Sequence, residues 1–219
     1  MKIALITECD YNLPAESVAG ADVLVFPFYY RETVSYNKEI RGVTSFFKRL
    51  TNLSKCLKTT VIAGVDTDSY GSLRHSVACA DGGRLLGISD MTVIRDGERY
   101  VGGGSLRVYD TRAGRIGIAV GGDMMCSDCI RTLALSGADV IVNVADPVLD
   151  ANTGISARAK AYEFGVPIAV CANRSAMLAS PTGEMVFTSP KKVSVTTVRT
   201  DKEYRVITLR RRGKNKRGS

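Results

Sequence analysis

The sequence is poor in the residues that most often carry metal and acid–base chemistry: its 219 residues include a single histidine, His75. Cys126-Ser127-Asp128-Cys129 is the one C-x-x-C. A zinc site built on it would need two further ligands. His75 lies within an apolar–polar alternation and reads as an in-strand residue, so no metal and no cofactor are expected. A thioredoxin-type use of the C-x-x-C stays open, with the spacing as its only support. Proline is scarce at 6 residues, and 45% of the chain is hydrophobic, which excludes collagen-like and low-complexity classes. No apolar run approaches the roughly 20 residues of a membrane helix, and no membrane association is expected. The N-terminal stretch turns acidic at Glu8, too soon for a secretory signal. A cytoplasmic location is the expectation.

The positive charge is unevenly spread. Arg210, Arg211, Arg212, Lys214, Lys216 and Arg217 lie in the last ten residues; removing these six from a net charge of +8 leaves +2. The sequence therefore predicts one domain over 1–209 and a disordered basic tail over 210–219. No aromatic residue is interleaved with these charges to stack bases. Nucleic acid is not the expected partner; binding to nucleic acid or to an anionic surface through the tail ranks as a second alternative function. Of the six cysteines, at 9, 56, 79, 126, 129 and 171, four sit in apolar runs and read as small core residues of a reducing compartment.

What is present is a series of short, continuously apolar runs at 3–6, 23–26, 61–63, 116–120, 140–142 and 168–170, which read as strands buried on both faces. Between them, Val43, Phe46, Phe47, Leu50 and Leu53 recur at helical spacing, as do Cys126, Cys129, Ile130, Leu133 and Ala134, with Gly137 as a stop. A third helix is predicted over 156–164, closed by Gly165 and Pro167. Alternating stretches predict hairpins at 72–79 with 84–89, at 105–111 with 115–120, and at 185–189 with 193–199; a last strand is expected over 204–209. Turn-linked and helix-linked strands together imply an α/β fold with mixed sheets and helices packed outside. No internal repeat is visible.

Gly114-Arg115-Ile116-Gly117-Ile118-Ala119-Val120-Gly121-Gly122-Asp123, then a helix, then Gly137-Ala138-Asp139-Val140, resembles the nitrilase (carbon-nitrogen hydrolase) superfamily. There a strand enters a Cys-Tyr-Asp elbow before a helix and Gly-Ala-Asp. Four further stretches agree in order: Ala21 through Pro27, Gly83 through Gly87, Glu98 through Thr111, and Arg158 through Glu163 followed by Ala172-Asn173-Arg174. The resemblance runs from Lys2 to about Leu209. It implies a single-domain four-layer α-β-β-α sandwich, a homodimer or larger homo-oligomer, and a chemistry in which a cysteine thiolate attacks an amide or nitrile carbon. In that chemistry a glutamate acts as base and a lysine steadies the tetrahedral intermediate.

Carried over position by position, the three catalytic groups are missing. The glutamate position is Phe28, the lysine position Met91 and the cysteine position Gly121. Phenylalanine accepts no proton, methionine carries no charge and glycine has no side chain, so each change alone would cost orders of magnitude in rate. The chain reads as a shortened member without the hydrolase activity, a pseudoenzyme that binds a small molecule or serves as a scaffold. Its pocket candidates are Phe28, Tyr29, Met91, Glu98, Gly121, Gly122 and Cys126. The alternative is an active hydrolase with Cys126 as a relocated nucleophile and Asp123 or Glu98 as base. Cys126 and Cys129 also fall on an apolar face and read as core.

Overall fold

Two six-stranded sheets, each with three parallel strands at its centre, organise the molecule. The computed structural model describes residues 1–8, 11, 14–145 and 151–200, with the backbone alone of 29–32. The expected strand at 204–209 and the tail at 210–219 lie outside the described residues. The first sheet holds β1 (Lys2–Ile6), β2 (Val23–Ser35), β3 (Thr60–Ser69), β4 (Ser72–Asp81), β5 (Arg84–Asp90) and β12 (Val193–Thr197) in the order β12-β1-β2-β3-β4-β5. The second holds β6 (Arg107–Thr111), β7 (Gly114–Val120), β8 (Val140–Val144), β9 (Ile168–Ala172), β10 (Ser175–Ala179) and β11 (Met185–Ser189) in the order β11-β10-β9-β8-β7-β6.

The apolar runs become the parallel strands β1, β2, β3 and β7, β8, β9. Both faces of these strands are covered, which is why they lack alternation. Three apolar layers follow. Ile3, Val25, Ile62, Ile118, Val142 and Cys171 pack between the two sheets. Leu24, Phe26, Val61 and Ala63 pack under Phe46 and Leu50 of α2 (Phe46–Leu57). Ala119, Ile141 and Val170 pack under Ile130 and Leu133 of α3 (Ser127–Leu135) and Ala157 and Ala161 of α4 (Ala151–Phe164). Helices, sheet, sheet, helices: the expected four-layer sandwich is the observed one.

The differences from the sequence reading are local. The predicted hairpin of 185–189 with 193–199 does not form. β11 pairs with β10, whereas β12 crosses to the other sheet and pairs with β1. Each of these strands finds an open sheet edge, and Thr7 fastens the crossing by donating its N–H to the Lys192 carbonyl at 3.0 Å. α2 starts at Phe46 and leaves Val43 exposed. The Glu39 carboxylate accepts the Phe46 and Phe47 N–H groups at 2.8 and 3.2 Å; this cap comes from a short helix of residues 36–40 that the apolar spacing did not reveal. α4 begins five residues before the expected start.

Candidate functional site

The carboxyl ends of parallel strands β2, β7 and β8 meet the adjoining parts of β3, β4 and β5 at one end of the sandwich. That is where ligands collect in parallel α/β sheets. Phe28 comes from β2. Regular alternation would put it on the same face as Phe26, but the pairing with β3 slips between the two. A bulge at Pro27 absorbs the extra residue, since proline donates no ladder bond. Phe26 thus packs under α2 while Phe28 turns inward between the sheets. Its ring is accommodated by Gly64, where a Cβ would lie 2.8 Å from the ring.

Phe28 stacks on His75 of β4, with centroids 3.5 Å apart and planes within 15°. His75 is 2% exposed. Its Nδ1 lies 2.7 Å from Oδ1 of Asp66, the residue directly opposite on β3. The other oxygen of Asp66 accepts from the Tyr100 hydroxyl at 2.9 Å and from Arg99 at 3.3 Å. Burial raises the Tyr100 hydroxyl above its ordinary value, the Arg99 hydrogen bond works against this, and the Asp66 interaction adds to the rise.

Met91 follows β5 and is buried against the same cluster. Gly121 follows β7 at φ +48°, in the sharp strand-to-helix turn of the elbow. A Cβ added there would lie 2.9 Å from Met91 Sδ, 3.2 Å from His75 Cδ2 and 3.6 Å from His75 Nε2. The Gly122 N–H points to Met91 Sδ at 3.4 Å. Phe28, Met91 and Gly121, distant in sequence, therefore converge, and His75 sits among them. The side-chain space of the elbow is filled by a thioether and an imidazole.

In front of this wall opens a cavity of about 430 Å³ lined by His75, Met91, Glu98, Tyr100, Gly121 and Asn143 among others. A slightly larger cleft, about 500 Å³, lies at the opposite strand ends, and none of the residues described above lines it. Glu98 stands exposed at the mouth of the smaller cavity. Its carboxylate accepts the Arg95 N–H at 3.2 Å, so it both closes a turn and faces the opening. Asn143, fully buried on β8, donates to the carbonyls of Ala119 and Gly121 at 3.2 and 3.3 Å. Its Oδ1 has no hydrogen-bond partner among the described residues.

The remaining candidates separate. Asp123 is fully buried and turned away from the cavity. Its Oδ1 accepts from the Thr92 N–H, the Thr92 hydroxyl and the Val93 N–H at 2.8–2.9 Å, and its Oδ2 from the Val120 N–H at 3.2 Å. That brace ties the loop after β5 to the elbow. Cys126 is not among the residues lining the cavity; it caps α3 one turn beyond the elbow. Tyr29 has no described side chain. Among the described residues no group of three or more His, Cys, Asp and Glu side chains could hold a metal.

His75, Asp66, Tyr100 and Asn143 were not singled out as site residues from the sequence. A signal for the first two existed. The tight turn at Tyr70-Gly71 makes β3 and β4 a hairpin, and counting outward from it sets Asp66 opposite His75.

A two-sheet sandwich flanked by helices, with a strand-to-helix elbow at one end, is the architecture of the nitrilase fold. The chain belongs to the carbon-nitrogen hydrolase family, whose model matches residues 4–206. It is similar to a probable nitrilase of Schizosaccharomyces pombe, 25% identical over 174 residues, 73% of this chain. The chain spans 63% of that relative's length. Solved structures share the fold at low identity. A carbon-nitrogen hydrolase from Helicobacter pylori G27 has a TM-score of 0.73 at 15% identity, over 89% of this chain and 88% of that one. An amidase from Nesterenkonia sp. AN1 bound to butyramide has a TM-score of 0.71 at 17% identity, with coverage of 89% and 88%.

Proposed function

We propose that this protein is a binding member of the carbon-nitrogen hydrolase family. On this reading it holds a small polar molecule in the elbow cavity and does not hydrolyse it. The convergence of Phe28, Met91 and Gly121 carries the reading. Attack on an amide or nitrile carbon needs a nucleophile, a base to ionise it and a cation for the developing charge. At this elbow an aromatic ring, a thioether and a bare α-carbon occupy the three positions, and a Cβ on Gly121 would meet sulfur at 2.9 Å. The His75–Asp66 pair supplies a base, but the described residues lining the cavity include no cysteine or serine for it to activate, and the one aliphatic hydroxyl there, that of Thr153, comes from α4.

What the cavity can do is recognise. Asn143 presents a buried acceptor, His75 an imidazole held by Asp66, and Glu98 and Arg95 face the opening. A neutral molecule with an N–H₂ donor fits that arrangement, because a buried acceptor is costly to leave unmatched.

Butyramide, the compound held by the Nesterenkonia amidase, serves as the probe. Saturation-transfer NMR on the intact chain should show butyramide binding that Asn143→Leu weakens about tenfold or more, the value of about one hydrogen bond. The signal should persist unchanged for hours, with no butyrate formed. Accumulating butyrate would overturn the reading, and so would equal binding by the Asn143→Leu variant with its fold intact.

A further inference from the structure

The C-x-x-C left aside by the elbow cavity occupies a defined place in the fold. Cys126 is the N-cap residue of α3 and Cys129 stands in its first turn, three positions on. Side chains three apart on a helix are neighbours, with Cβ atoms about 5–6 Å apart. The N-cap residue has left the helical backbone, at φ −91° and ψ 116°. In that conformation an N-cap side chain can lean across the first turn toward the third helical position, as capping side chains do. Here that position is Cys129, so the spacing and the cap geometry bring the two thiols to the same turn.

The two thiols differ in access. Cys126 is half-buried, while Cys129 is buried at 7% exposure with its sulfur 3.4 Å from the Thr92 hydroxyl. Beneath them lies Lys160 of α4, buried at 6% exposure, an unusual place for an ammonium. It donates to the Met124 carbonyl and the Ser156 hydroxyl, both at 2.6 Å. Burial draws its pKa down, and the groups that favour its charge are Cys126, Glu163 and Cys129. Its ammonium is thus held against the carbonyl two residues before Cys126, at the N-terminal end of α3.

We propose that Cys126 and Cys129 form a reversible dithiol–disulfide centre that exchanges with low-molecular-weight disulfides. The Cys126 thiolate attacks one sulfur of the disulfide RSSR, the S–S bond breaks, and RS⁻ leaves with the electron pair. Cys129 then loses its proton, which the departed thiolate takes up, and attacks Cys126 Sγ; the mixed disulfide breaks and the second RS⁻ leaves, taking a proton from solvent. The protein is oxidised by two electrons and RSSR is reduced to two RSH. The order follows from access. Cys129, pushed up to about 11 chiefly by burial, keeps its proton until Cys126 is captured. Oxidation removes the S–H that faces Thr92, whose hydroxyl also holds Asp123, so the redox state of the pair bears on the brace behind the elbow.

The intact chain is incubated with oxidised and reduced glutathione at graded ratios, quenched in acid, alkylated and mapped by mass spectrometry. The wild type should lose two hydrogens and yield a peptide linked between Cys126 and Cys129. Cys129→Ser should stop at a glutathione adduct on Cys126, and Cys126→Ser should give no adduct on Cys129. In the Cys129→Ser background, Lys160→Met should slow adduct formation, with unchanged far-UV circular dichroism confirming the fold. The exposed Cys56 serves as an internal control for the reagent. Adducts on Cys56 with no 126–129 linkage at any ratio would overturn the proposal. Direct capture of Cys129 in Cys126→Ser would overturn the order, and an unslowed, folded Lys160→Met would remove the ammonium from the centre.

Discussion

Phe28 shows how much one side chain decides at this site. It is 1% exposed, stacked on His75 and seated over Gly64. Its ring is therefore a structural partner of the imidazole. Truncation to alanine is expected to cost about 3–5 kcal/mol, the range for deleting a buried aromatic ring, read as a drop in the urea midpoint at constant m-value. A loss below about 1 kcal/mol would mean that the ring is not packed as described. That Phe28, Met91 and Gly121 belong together was legible in the sequence, because the residues flanking each one in the resemblance set the register. The filling of the space between them was not, since His75 comes from a strand that the catalytic motifs do not touch. Asn143 was equally hidden: inside the apolar run of β8 one polar residue gives no sign of which way it faces.

At the scale of elements, the elbow and the loop after β5 act as one unit. Gly121 has a positive φ that an alanine adopts at a cost of about 1–2 kcal/mol, and the added methyl also meets Met91 Sδ. Gly121→Ala should destabilise the wild type by more than that backbone cost. In a Met91→Ala background the loss should shrink by at least about 0.5 kcal/mol, a coupling that a double-mutant cycle measures. Additive effects would separate the two elements. The β4–β5 and β6–β7 hairpins form a second junction, this one between the sheets. Asp81 at the end of β4 accepts from the Arg112 guanidinium at 2.8 Å and from its backbone N–H at 3.1 Å. Burial pushes the Asp81 carboxyl up, but the Arg112 contacts outweigh it and hold the group below its ordinary 3.8. A carboxyl depressed in the folded state contributes stability that is full above the unfolded value and lost as pH falls through the folded one. The acid arm of a stability–pH curve should therefore flatten below pH 3.8 in Asp81→Asn relative to wild type. Parallel arms would refute the clasp.

The strand assignments were legible because continuous apolar runs have one ready explanation in a sheet covered on both faces. The crossing of β12 was not, since pairing partners depend on which sheet edges stand open and not on local alternation. Across the whole molecule, the sequence shows no repeat, yet the two sheets repeat one another. In each, three consecutive parallel strands continue into two antiparallel ones, and an antiparallel strand closes the other side. The pairing pattern recurs with different side chains, because burial asks only for apolar residues at the covered positions. The fold is intact, while the elbow, on the proposed reading, carries no nucleophile. Ammonia release from small amides and nitriles by the purified chain, with and without prior iodoacetamide treatment, tests that contrast most directly. The account predicts release no faster than in buffer in both samples; turnover by the untreated protein that iodoacetamide abolishes would contradict it.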